Sequence, residues 1–118
     1  MDYPLLEEMD KERKNAISKE LETTCARMER WTRRRKIWAR LMTILFQDVD
    51  GYWDGMQIAY ADIWELFTVT PSITPATYKT VWLSQCAKLD KLAPGSEGMD
   101  LGERVAWARA YRHFRRII

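Results

Sequence analysis

Between Leu5 and Phe46 no Gly or Pro interrupts the chain, and Leu, Met, Ala, Glu, Lys and Arg dominate it. These residues lose little rotamer freedom in a helix, so the stretch predicts one long N-terminal helix. Ile17, Leu21, Met28, Trp31, Trp38, Met42 and Leu45 share one seven-residue seam within it, interrupted at Thr24 and Arg35. A break near Arg30 would divide the segment into two helices. Residues 1–26 are rich in charge and poor in large apolar side chains, which predicts a projecting helical arm or a strand of a helix pair.

The cluster DVDGYWDG (48–55) predicts a turn, and Met56, Tyr60, Ile63 and Phe67 then recur at helical spacing, predicting a short helix near 55–67. TVTPSITP breaks the pattern. Thr74 is placed to cap a third helix, with Pro75 at its first position, where a missing N–H costs nothing. That helix is expected to reach about Leu92 and to bury Tyr78, Val81, Trp82, Cys86 and Leu89. After the loop APGSEG, Asp100 and Glu103 have capping-box spacing for a last helix. Its apolar face would be Trp107, Tyr111, Phe114 and Ile118, with Arg109, Arg112 and Arg116 turned away. The expected fold is all-α: a compact bundle of four to five helices forming a single domain over 1–118.

The formal net charge of +2 hides strong segregation. Residues 1–26 hold seven acids against four bases, and residues 27–40 hold seven bases (Arg27, Arg30, Arg33, Arg34, Arg35, Lys36, Arg40) against Glu29. From 41 to 78 there are five acids and no Lys or Arg. A basic ridge on a helix can pair with acids of 48–65 or of another subunit, neutralise nucleic-acid phosphates, or, as the least favoured reading, meet an anionic membrane surface. Six Trp, five Tyr and three Phe are many for 118 residues. Tyr52, Trp53 and Trp64 are the hardest of them to place in a core and are the candidate protein-interface anchors.

Chemistry of other kinds finds little footing. His113 is the sole histidine and stands among arginines, and Cys25 and Cys86 lie too far apart in sequence for a thiolate metal motif. Both read as ordinary thiols in a reducing, intracellular or cytoplasmic setting. The aspartates of DVDGYWDG lack the twelfth-position Glu of a calcium loop, since Ala59 or Ala61 stands there. With no phosphate loop, nucleophile elbow or zinc-binding His pair, the expectation is a protein that is not an enzyme and holds no cofactor or metal.

The segment ADIWELFTVTPSITPATYKTVWLSQCAKL (61–89) resembles the helix-turn-helix or winged-helix pattern: a short apolar helix, a polar turn and a longer helix. The turn is longer than usual and lacks its glycine. The resemblance implies that Thr77, Lys79, Thr80 and Gln85 face a groove of nucleic acid while the C-terminal arginines hold phosphates. The leading expectation is therefore a small regulatory protein that binds nucleic acid through Arg33, Arg34, Arg35, Lys36, Arg40, Lys79, Arg109, Arg112 and Arg116. The alternative is a helical protein-interaction module, such as a viral or mobile-element accessory factor that grips a host protein. A homodimer along the apolar seam of the long helix is a further expectation.

Overall fold

The computed structural model describes residues 3–46, 50–90 and 97–118. They form four helices: α1 (Tyr3–Leu45), α2 (Tyr52–Val69), α3 (Pro75–Leu89) and α4 (Glu97–Ile117). Among the described residues there is no strand, so the all-α bundle with a long first helix stands, and α1 passes Arg30 without a break.

At about 1.5 Å per residue, the 43 residues of α1 run about 65 Å. That length sets the shape, since the molecule measures 69 × 29 × 21 Å with a radius of gyration of 18.1 Å. A compact chain of this size would have about 13–14 Å. The described side chains of residues 8–20 are all exposed, and the first to touch the core is Leu21.

From there the buried stripe of α1 is Cys25, Met28, Thr32 and Ala39. Met28 and Thr32 hold its centre between the smaller Cys25 and Ala39, while Trp31 and Trp38 of the expected seam pack half-buried along its flanks. Thr32 is wholly buried because its hydroxyl donates to the carbonyls of Met28 (2.8 Å) and Glu29 (3.0 Å) of its own helix. Leu45 leaves the seam and is exposed, and the side chain of Ile17 lies outside the described residues.

α2 packs along both α1 and α4, and α3 lies on α4. The chain enters α2 through Gly51, whose φ of 76° is a left-handed turn conformation, so the helix starts at Tyr52 rather than near 55. Residues 47–49, with Asp48 of the proposed turn, are outside the described residues, as is the segment 91–96 where the third helix was expected to end. Thr74 caps α3 as its position predicts, its Oγ1 accepting from the Thr77 amide at 3.2 Å with Pro75 next.

The Asp100–Glu103 capping box is not formed. α4 has already begun at Glu97, so Asp100 lies inside the helix and its carboxylate accepts from Arg104 Nε at 2.7 Å. The core joins rings from three helices: Phe67 of α2, Tyr78 of α3, and Trp107 and Phe114 of α4. Tyr78 is fully buried and its hydroxyl donates to the Trp107 carbonyl at 2.8 Å. Ile118 does not join this face. It is exposed, and Ile117 packs in its place.

Candidate nucleic-acid interface

On α4, residues 109, 112, 113 and 116 recur at intervals of three, one and three, which puts them on one side of the helix. That side meets α1, where Trp31 and Arg35 are one turn apart. Arg109, Arg112, His113 and Arg116 thus close a groove of about 440 Å³ against Trp31 and Arg35. Four guanidinium groups converge there. A second groove of about 510 Å³ is lined by Arg27, Arg30, Trp31, Arg34 and His113. Trp31 and His113 line both, and their rings are stacked at 4.5 Å with planes 12° apart. The stack is the wall between two basic hollows.

Local contacts explain how so many cations are held in place. The Arg35 guanidinium lies 5.3 Å from the Trp31 ring and 5.1 Å from that of Trp38, so the side chain is fixed by cation–π contact instead of by a carboxylate. Behind the groove, the buried Tyr60 hydroxyl makes no well-formed hydrogen bond. Burial raises its pKa, while the Arg35 and Arg109 charges and the approach of Arg109 work the other way. His113 is pushed to a lower pKa by burial and by the charges of Arg116 and Arg35, which favours the neutral imidazole at pH 7.

Of the acids that could pair with the basic ridge, Asp62 and Glu65 form no ion pair with it, and Arg104 pairs with Asp90 and with Asp100. Asp62 and Glu65 instead line a hollow beside Lys88 of α3. Burial and Glu65 raise the Asp62 pKa, and burial with Asp62 and Asp100 raises that of Glu103. Asp62 and Glu65 therefore lie beside Lys88 and line a different hollow from the arginines of the two grooves.

The other expected site residues scatter. Arg33 and Arg40 are exposed on α1 and line neither groove, and the Lys36 ammonium sits 5.5 Å from the Trp64 ring. Lys79 is exposed on α3, whose rings meet the Trp107 and Tyr111 side of α4, away from the arginines. α3 is tied to α2 chiefly through the Phe67–Tyr78 ring stack at 5.9 Å, where a helix-turn-helix would pack the two helices together.

Tyr52, Trp53 and Trp64, expected as exposed anchors, are half-buried. Because α2 begins at Tyr52, Trp53 turns onto Trp38 with ring centroids 5.2 Å apart. The exposed large apolar side chains are aliphatic for the most part, notably Ile37, Leu41, Ile44 and Leu45 on α1. Sequence reasoning left out Arg27, Arg30, Trp31 and His113 as site residues. The spacing of Arg27, Arg30 and Arg34 was the available signal for one shared face.

Cys25 is buried, its thiol donating to the Ile73 carbonyl at 3.4 Å, and burial pushes its pKa up to about 11. No group of metal-binding side chains occurs among the described residues, and no helix of theirs is long and apolar enough to cross a membrane. No protein-family model, curated protein or solved structure matches the chain.

Proposed function

We propose that the protein is a small, non-enzymatic helical regulator that binds the phosphate backbone of nucleic acid in the groove between α1 and α4. One observation carries this reading: Arg35, Arg109, Arg112 and Arg116 converge in one hollow and form no ion pair with a described residue. Like charges held together without counter-ions raise the local potential and cost stability, and a phosphate relieves both. The guanidinium fork also matches two phosphate oxygens at once.

Arg112 and Arg116 are exposed, so their reversal leaves the core intact. Arg112→Glu with Arg116→Glu should keep wild-type helicity and weaken binding of a fluorescently labelled 20-nucleotide strand by at least tenfold in anisotropy. Lys79→Glu, outside the grooves, should change it less than twofold. The reverse ranking would return the site to α3 and the helix-turn-helix reading.

A second reading, capture of a protein partner, draws on the apolar side chains left exposed at the end of α1, where Ile44 is 72% and Phe46 57% accessible. Binding that is insensitive to the arginine reversals and to salt would favour it.

A further inference from the structure

The face of α1 opposite its buried stripe is charged in a patterned way, with Arg30 and Arg34 at its edge also lining the second groove. Counting about 100° per residue, Glu8, Glu12, Lys19, Thr23, Arg30 and Arg34 fall within about 80° of one another. Cys25, Met28, Thr32 and Ala39, the residues buried in the core, lie on the opposite side. All six outward residues are exposed, and none forms an ion pair with a described residue. The face carries acids on the arm and bases on the half that belongs to the bundle.

We infer that this face is completed by a second copy of the chain, with the two α1 helices antiparallel about a two-fold axis beside Leu21. That register sets Glu8 opposite Arg34, Glu12 opposite Arg30 and Lys19 opposite Thr23. The two-fold repeats each contact. The match is possible because the two acids and the two bases are each four residues apart, so both pairs close together. A parallel pair would put acid on acid and base on base, which repels. The same register brings Ile37, 59% exposed, opposite the position of Leu5.

Geometry on the single chain supports this occupant. The described side chains of residues 8–14 are exposed and outside the core, and only Lys19 and Glu20 border a hollow beside Ile117 and Ile118, yet the helix continues through them. A long exposed helix is marginal in water without packing, and the antiparallel copy lays each arm along the back of the other's bundle. Of the expected dimer seam, by contrast, Met28 is buried in the monomer's own core and Trp31 and Trp38 pack half-buried against it. Pairing would engage Arg30 and Arg34 and leave the groove of Arg35, Arg109, Arg112 and Arg116 open.

The test uses full-length protein freed of nucleic acid by nuclease and high salt, followed by sedimentation equilibrium at tens of micromolar. Wild type should sediment as a dimer. Two variants, Glu8→Arg with Glu12→Arg and Arg30→Glu with Arg34→Glu, should each retain helicity by circular dichroism and sediment as monomers. Their one-to-one mixture should recover the dimer mass, since each then presents the charges the other lacks. A monomeric wild type, variants that stay dimeric, or a mixture that stays monomeric would overturn the inference. Should either variant fail to fold, Lys19→Cys with Thr23→Cys in the otherwise wild-type chain supplies the readout: mild air oxidation should give a covalent dimer, and its absence would refute the register.

Discussion

Trp31 and His113 come from the first and last of the four helices, yet their rings lie 4.5 Å apart with planes within 12°. The stack ties α1 to α4 and forms the wall between the two arginine-lined grooves. It also places a titratable ring where burial and the charges of Arg116 and Arg35 disfavour a proton. Below the ordinary histidine pKa, near 6.5, the unfolded chain takes up the proton more readily than the folded one. Stability should therefore fall as pH drops from 7 through 6.5 toward the lowered folded value, and level off beneath it. His113→Gln should shrink that loss, as read by the difference in urea midpoint between pH 7 and pH 5. A nucleic acid in the groove reverses the sign, because phosphate favours the imidazolium, so binding should tighten as pH falls.

Phe114 is fully buried, edge-on to Phe67 at 5.2 Å. Phe114→Ala should cost on the order of 3–5 kcal/mol, a large fraction of a domain's stability. Ile118→Ala at an exposed end should change the denaturant midpoint hardly at all. Equal effects from the two would mean that α4 is held in some other way.

The close crossing of α2 and α4 depends on glycine. A Cβ on Gly102 would sit 2.0 Å from the Tyr52 carbonyl oxygen, and one on Gly55 would sit 2.1 Å from that of Met99. The obstacle is backbone in each case, so it cannot rotate aside. Gly102→Ala should destabilise by at least roughly 1–3 kcal/mol in chemical denaturation, although alanine is ordinarily the better helix former.

Glu103 is held above its usual pKa by burial and by Asp62 and Asp100. A raised carboxyl pKa means that ionisation opposes folding, and the penalty grows as pH rises from the unfolded value through the folded one. Glu103→Gln should therefore raise the melting temperature at pH 7 and have little effect at pH 3. A lower melting temperature at pH 7 would show that the carboxylate contributes a favourable contact.

Much of the architecture was legible because it is local. An uninterrupted run of helix formers gave α1, and Thr74 followed by Pro75 marked the start of α3. The misplacements have tertiary causes. Cys25, Met28, Thr32 and Ala39 form the buried stripe of α1 because its rotation is set by packing on the other helices, which leaves the tryptophans on the flanks. α2 starts early because Gly51 can turn left-handed. Of the site, the arginines were visible in the sequence, but the groove was not: joining Arg35 to Arg109, Arg112 and Arg116 takes the packing of helices far apart in the chain. The half-burial of Tyr52 and Trp53 was hidden for the same reason, since nothing local reveals Trp38 against Trp53.

The most direct test of phosphate binding in this groove is the salt dependence of affinity for a labelled single strand, from 50 to 300 mM NaCl. Engagement of four phosphates by Arg35, Arg109, Arg112 and Arg116 predicts that log K falls against log salt with a slope of about −3. Arg112→Ala should make that slope shallower by roughly 1 and weaken binding about equally for different sequences. A slope near zero in the wild type, or one that Arg112→Ala leaves unchanged, would contradict the account.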